Sequence, residues 1–117
     1  MNNFSLKRDD REPATVISLK GYLDAHTAPE LEETIKSLLD EGKVKIVINL
    51  NELDYISSAG LGVFMGFIEE IRDKGGDIKL AEASDKVYRV FDLLGFPMLY
   101  EILSKEEEAL KRFSEMS

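Results

Sequence analysis

The residues best suited to chemistry in this chain of 117 residues lie in one short segment rich in serine and glycine. In order, the segment is Asp54-Tyr55-Ile56-Ser57-Ser58-Ala59-Gly60-Leu61-Gly62. The apolar residues that follow recur at helical spacing, which predicts that a helix begins here. Because a helix N-terminus presents unpaired N–H groups and a positive dipole end, it would stabilise a phosphate on Ser57 or Ser58. Gly60 and Gly62 are expected to expose the backbone to a closely approaching partner.

A purely structural explanation of the same segment stays open. Serine is a frequent helix N-cap, so Ser57 or Ser58 could serve only as the cap. Val63 and Phe67 lie toward the flank of the predicted helix. If exposed, they would suit a partner surface next to Ser58, and if buried, they would pack under a neighbouring helix.

Catalytic explanations fit the sequence poorly. The G-x-G at residues 60–62, followed by Gly66, has one residue too many for a dinucleotide-binding motif, and no strand directly precedes it. Asp24, His26 and Ser58 supply the residue types of a catalytic triad, but the chain has no G-x-S-x-G motif. We therefore expect no enzymatic activity and no catalytic residue.

The composition excludes several further classes of function. The chain has no cysteine and one histidine, so we expect no disulfide, thiolate site, metal site or cofactor. Its net charge of −8 argues against a nucleic-acid partner, which requires a cationic face. No apolar run approaches the roughly 20 residues of a membrane helix, and the N-terminus lacks the pattern of a signal peptide. These observations predict a cytoplasmic protein that binds neither membrane nor nucleic acid.

The rest of the sequence predicts the order ββαβαβαβα. Strands are predicted near Leu6 and at residues 16–19, 44–50, 78–81 and 99–102, and helices after Thr27, at residues 59–74, after Ser84 and after Ser104. Strands that alternate with helices pair in parallel through right-handed crossovers. The prediction is one α/β domain over residues 1–117, with a mixed, mostly parallel sheet of four to five strands and about four helices.

Local signals place the ends of these elements. Capping boxes are expected at Thr27 with Glu30 and at Ser104 with Glu107. Residues 7–13 look like a hairpin turn, Gly21 is expected to break the second strand, and residues 51–58 to form a connecting loop. The inward side chains are expected to be Leu61, Phe64, Met65, Ile68 and Ile71 on the second helix, and Val87, Val90, Phe91 and Leu94 on the third.

Taken together, four segments resemble the STAS domain, in particular the bacterial anti-sigma factor antagonists. The segments are Gly21-Tyr22-Leu23-Asp24 followed by Thr27, residues 44–50, residues 54–62, and Val90-Phe91-Asp92-Leu93-Leu94-Gly95-Phe96. The resemblance covers nearly the whole chain in order and spacing. It implies a protein that binds an anti-sigma factor with serine kinase activity and thereby frees a sigma factor. The resemblance also implies that phosphorylation of the loop serine ends binding and that a PP2C-type phosphatase restores it.

The resemblance places the phosphate acceptor at Ser58 and an acidic contact residue at Asp24. Ser57 stands where the family pattern has Asp and is therefore a rival acceptor, while Ala59 stands where the pattern has Ser or Thr. The expected partner surface comprises Asp24, Thr27, Ser57, Ser58, Ala59, Gly60, Leu61, Gly62, Val63 and Phe67. The alternative is a STAS domain that senses a small anionic ligand or nucleotide at the helix N-terminus near Gly60 and Gly62. A monomer is expected.

Overall fold

Five strands form one sheet in which the spatial order follows the order along the chain. The computed structural model describes residues 4–116. The strands are β1 (Ser5–Asp10), β2 (Thr15–Leu23), β3 (Lys45–Ile56), β4 (Asp77–Ala81) and β5 (Ile102–Leu103). β1 pairs antiparallel with β2 and all other neighbours pair in parallel, which confirms the mixed, mostly parallel sheet.

Four α-helices alternate with the strands over the described range. They are α1 (Ala28–Asp40), α2 (Ser58–Asp73), α3 (Asp85–Leu93) and α4 (Glu106–Ser114), with a short 3-10 helix at Phe96–Met98. The predicted order ββαβαβαβα is therefore confirmed. A helix connects each parallel pair of strands, as the length of a crossover connection requires.

The helices cover the two faces of the sheet unequally. Ile46 and Ile48 of β3 pack in a core shared with α1, α2 and α3. On the opposite face, Val47 packs with Ala109 and Phe113 of α4. Because the first half of β3 is buried on both faces, residues 46–50 are nearly all apolar, and the predicted central position of this strand in the sheet is confirmed.

The N-terminal hairpin differs from its prediction in two places. Residues 7–10, expected in a turn, continue β1, and the connection is confined to residues 11–14. An edge strand can be formed largely by polar residues because much of it faces solvent. Here Arg8 forms ion pairs with the carboxylates of Asp10 and Glu41, each at 2.7 Å. The prediction that Gly21 breaks β2 is also wrong, because Gly21, at φ 90°, lies beside a register shift within the continuing strand.

β3 is longer than predicted and occupies most of the expected loop at residues 51–58. The strand ends at Ile56, and Leu53 and Ile56 are buried. They pair with Gly21 and Leu23 of β2. The irregular pairing interrupts the two-residue alternation, so the polar residues in this stretch resembled a loop. α2 therefore begins at Ser58, directly after the strand.

Two apolar side chains expected in the core are exposed. Met65 is 57% exposed and Leu94 is 59% exposed. Because α2 packs against both the sheet and α1, its buried arc includes Val63 and Phe67, and Met65 faces outward. Leu94 is the C-cap residue of α3, at the end of that helix.

The last two elements begin later than predicted. The edge strand expected at residues 99–102 is β5, which covers only Ile102–Leu103. α4 has Lys105 as its N-cap residue and no side-chain cap, so the expected box of Ser104 and Glu107 is absent. Instead, the backbone N–H of Glu106 donates a 2.9 Å hydrogen bond to the carboxylate of Glu82.

Candidate functional site

The candidate site is the edge of the sheet where β2 and β3 end and α2 begins. The backbone N–H of Ser57 donates a 2.9 Å hydrogen bond to the carbonyl oxygen of Leu23. The carbonyl oxygen of Ser57 then accepts a 3.1 Å bond from the N–H of Leu61, in the first turn of α2. Ser58 is the first residue of the helix, and it is exposed. The strand ends thus hold the start of the helix in place.

The two serines have different surroundings. Ser57 is the N-cap residue of α2, with extended backbone angles, but its side chain makes no capping hydrogen bond. Its hydroxyl oxygen is buried and has no hydrogen-bond partner within the described part of the chain. Ser58 and its neighbour Ala59 are exposed. The Ser58 side chain is therefore accessible from solvent, whereas the Ser57 hydroxyl is enclosed.

The glycines of the segment divide into one buried and one open position. A Cβ atom on Gly60 would lie 2.8 Å from Cγ of Leu23 and 3.1 Å from Cγ1 of Ile56. The expectation that Gly60 exposes its backbone to a partner is therefore wrong, because this glycine lets α2 pack against the strand ends. Gly62 is exposed, and a Cβ atom there would meet nothing within 4 Å.

Three apolar residues of the expected partner surface are in the core. Leu61 is 4% exposed, Val63 is 6% exposed and Phe67 is 9% exposed. The hypothesis that Val63 and Phe67 are exposed beside Ser58 is wrong, since both side chains belong to the core cluster under the helices. The accessible part of the predicted surface is therefore smaller than the sequence suggested. It comprises exposed Ser58, Ala59 and Gly62 together with half-buried Asp24 and Thr27.

Asp24 and Thr27 build the turn next to Ser57 and Ser58. The carboxylate of Asp24 accepts hydrogen bonds from the backbone N–H groups of His26, at 2.9 Å, and Thr27, at 3.2 Å. The hydroxyl of Thr27 accepts a 2.9 Å bond from the N–H of Asp24 and donates a 2.8 Å bond to the carbonyl oxygen of Tyr22. These bonds stabilise the turn between β2 and α1 and use one oxygen of the Asp24 carboxylate.

The capping box expected at the start of α1 is absent. Thr27 occupies the N-cap position, but its backbone is in the right-handed helical region and its side chain makes no capping bond. Its hydroxyl bonds the strand end instead, and its N–H bonds Asp24 rather than Glu30. The prediction of a helix start at this position holds, whereas the predicted cap is wrong.

An exposed aromatic pair lies at the same edge and was not singled out as a site from the sequence. Tyr22 and Tyr55 are paired residues of β2 and β3, 49% and 44% exposed, with ring centroids 5.5 Å apart. Each stands one residue before a buried aliphatic residue at the end of its strand. The alternation of exposed and buried residues at the end of β2 could have identified Tyr22, whereas the irregular end of β3 gives no such signal for Tyr55.

The described residues hold no group of three or more His, Asp or Glu side chains placed to bind a metal ion. Over the same range, none of the helices is long and apolar enough to span a membrane.

Comparisons with known proteins agree with one another. The STAS domain family model matches residues 5–109. The anti-sigma-B factor antagonist of Bacillus subtilis is 30% identical over 105 residues, covering 90% of this chain and 94% of its own. The corresponding Listeria monocytogenes protein is 31% identical over 107 residues, covering 91% and 94%.

Solved structures give the same result. The anti-sigma factor antagonist SpoIIAA in its unphosphorylated form superposes with a TM-score of 0.81, at 26% identity over 96% of both chains. The Bacillus cell fate determinant SpoIIAA in the phosphorylated form superposes with a TM-score of 0.71, at 27% identity over 93% of this chain and 97% of that one. The chain therefore belongs to the STAS domain family and, within it, to the anti-sigma factor antagonists.

Proposed function

We propose that this protein, in its unmodified form, binds an anti-sigma factor that is also a serine kinase and thereby frees a sigma factor. Phosphorylation of Ser58 by that kinase then ends the binding. The observation that carries the proposal is the exposed Ser58 at the first position of α2, held there by the Ser57–Leu23 backbone bond. The existence of a phosphorylated form of the related SpoIIAA supports it.

The surroundings of the two serines favour Ser58 as the acceptor. A kinase must bring the serine hydroxyl within bonding distance of the γ-phosphate of ATP, which requires access from outside. The Ser58 side chain is exposed, and the Ser57 hydroxyl oxygen is buried. Phosphorylation of Ser57 would require the N-terminus of α2 to open first.

A phosphate on Ser58 accounts for the loss of binding. It adds a charge of about −1.5 to −2 and three oxygens at a contact that has to exclude water. The N-terminus of α2 stabilises this charge within the free protein. In the complex, this charged group would lose its hydration, which is costly, so the modified protein is expected to dissociate.

The alternative of a ligand sensor at Gly60 and Gly62 finds less support. Leu23 and Ile56 pack against Gly60, which closes the backbone at that position. Of these two glycines only Gly62 is open, and it lies two residues further into the helix. We therefore retain the binding function and not the ligand function.

The proposal includes the rest of the cycle. A PP2C-type phosphatase would remove the phosphate and restore binding. The protein would act as a monomer in the cytoplasm. It would catalyse no reaction of its own.

Mapping the phosphate tests the assignment. The protein is incubated with ATP, Mg²⁺ and each purified serine-kinase anti-sigma factor of the organism that encodes it, and the products are analysed by peptide mass spectrometry. Phosphate is expected on Ser58 in the unaltered chain and in Ser57→Ala, and none in Ser58→Ala. Modification of Ser57 would refute the assignment of the acceptor, and no modification by any active kinase would refute the proposed switch.

A further inference from the structure

Two tyrosine rings lie against each other on the sheet edge that carries Ser58, and both remain about half exposed. Tyr22 is 49% exposed and Tyr55 is 44% exposed. Their ring centroids are 5.5 Å apart and the planes are tilted by 44°, a favourable arrangement for two aromatic rings. Exposed tyrosines of this kind are frequent anchors of protein–protein interfaces.

The position of the rings places them within reach of any partner that covers Ser58. Tyr22 and Tyr55 are paired across β2 and β3, directly before the buried pair of Leu23 and Ile56. Leu23 and Ile56 pack against Gly60 in the first turn of α2, so the rings lie at the strand ends that adjoin this turn. Tyr55 precedes Ser58 by three residues, about 10 Å of extended chain. One partner surface laid over this edge can touch both features.

The backbone around Tyr22 is fixed by hydrogen bonds within the protein itself. The carbonyl oxygen of Tyr22 accepts a 2.8 Å hydrogen bond from the hydroxyl of Thr27. The carboxylate of Asp24 fixes the next turn through two backbone N–H groups. Rings on a rigid backbone lose little conformational entropy on binding, which favours affinity.

The charge of this edge indicates which side chain would bind there. The two segments that form it, residues 20–30 and 52–58, contain four carboxylates and one lysine. The faces of tyrosine rings are also electron-rich and attract cations within about 6 Å of the ring centroid. An acidic edge with two exposed rings is therefore complementary to an arginine or a lysine.

We infer that Tyr22 and Tyr55 form a binding platform for a cationic side chain of the anti-sigma factor. This inference rests on the proposed function and adds a second contact to the one at Ser58. The two contacts have different chemistry. Ser58 controls whether the surfaces can meet, and the tyrosine pair contributes affinity and selects for a partner with a cation at the matching position.

The test is a calorimetric titration of the cognate anti-sigma kinase, without ATP, into four proteins. They are the unaltered chain, the double variant Tyr22→Leu with Tyr55→Leu, the double variant Tyr22→Phe with Tyr55→Phe, and Tyr88→Leu. Leucine keeps apolar bulk but removes the ring, whereas phenylalanine keeps the ring. Tyr88, 39% exposed on α3, is the matched control outside the candidate site.

We expect the leucine pair to raise Kd at least about tenfold, the phenylalanine pair to change it by no more than about twofold, and Tyr88→Leu to leave it unaltered. Thermal melting monitored by circular dichroism checks folding, and if the double leucine variant melts early, the single variants Tyr22→Leu and Tyr55→Leu replace it.

Equal Kd values for the leucine and unaltered proteins, with binding still lost in Ser58→Asp, would overturn the platform alone. A phenylalanine pair as weak as the leucine pair would overturn the role of the rings. Failure of the unaltered chain to bind would overturn the proposed function, and the platform with it.

Discussion

The backbone N–H of Ser57 bonds the carbonyl oxygen of Leu23 at 2.9 Å, and this bond joins the end of β2 to the start of α2. Leu23 also fills the space beside Gly60. One residue of β2 therefore fixes both the position of the exposed serine and the closeness of the helix to the sheet.

The two glycines of α2 are expected to respond oppositely to substitution. Gly60→Ala places a Cβ atom 2.8 Å from the Leu23 side chain, so it should lower the free energy of unfolding by about 1–3 kcal/mol. Gly62→Ala meets nothing within 4 Å and should raise it by up to about 1 kcal/mol through helix propensity. Urea unfolding measures both, and equal effects would contradict the packing described for Gly60.

Ser57 and Ser84 provide a matched pair of helix N-caps. The hydroxyl of Ser84 accepts a 3.2 Å hydrogen bond from the N–H of Val87, whereas Ser57 makes no such bond. Ser84→Ala should therefore cost about 1 kcal/mol of unfolding free energy, and Ser57→Ala less than about 0.5 kcal/mol. Chemical denaturation of the two variants checks this order. A larger loss in Ser57→Ala would mean that its hydroxyl does cap α2.

The hydroxyl of Thr27 should matter more than its methyl group. Thr27→Val removes the acceptor for the N–H of Asp24 and the donor to Tyr22, so we expect a loss of about 1–3 kcal/mol in stability. Thr27→Ser keeps the hydroxyl and should lose less. Thermal denaturation of both variants tests the turn, and equal losses would contradict the larger contribution expected of the hydroxyl.

Tyr100 is expected to make stability fall at alkaline pH. Burial raises the pKa of its phenol from 10.0 to about 12, so the folded state retains the proton where the unfolded state loses it. The stabilisation is complete below pH 10 and is lost as pH rises from 10 to about 12. Melting curves over this range should show a smaller loss in Tyr100→Phe than in the unaltered chain, with Tyr88→Phe as the control. A loss in Tyr100→Phe as large as in the unaltered chain would contradict the assignment.

At neutral pH, Tyr100→Phe should leave the free energy of unfolding unaltered or slightly higher. The Tyr100 hydroxyl is buried without a hydrogen-bond partner among the described residues, so removing it sacrifices no internal bond.

The order of strands and helices could be predicted because each boundary carries a local signal. Gly42 follows α1 with φ 76°, and Gly95 follows α3 with φ 77°. Ser84 caps α3 as expected. β3 was found from its apolar run, although its polar second half, with an irregular register against β2, could not be recognised without the neighbouring strand.

The details of the site depend on packing that the sequence does not display. Helical spacing identified an apolar face on α2, but the position of α1 and the sheet decides that Phe67 is buried and Met65 is exposed. Which of Ser57 and Ser58 is the more accessible phosphate acceptor likewise depends on which hydroxyl is enclosed. Tyr22 and Tyr55 are 33 positions apart in sequence numbering, and only the register of β2 with β3 brings them together.

The most direct test of the central claim compares the binding of two forms of the same chain. The protein is phosphorylated by its cognate anti-sigma kinase, and a single phosphate on Ser58 is verified by mass spectrometry. The modified and unmodified forms are then titrated into that kinase without ATP. We predict that the unmodified form binds and that the phosphate raises Kd by about a hundredfold or more. Equal affinity of the two forms would contradict the account.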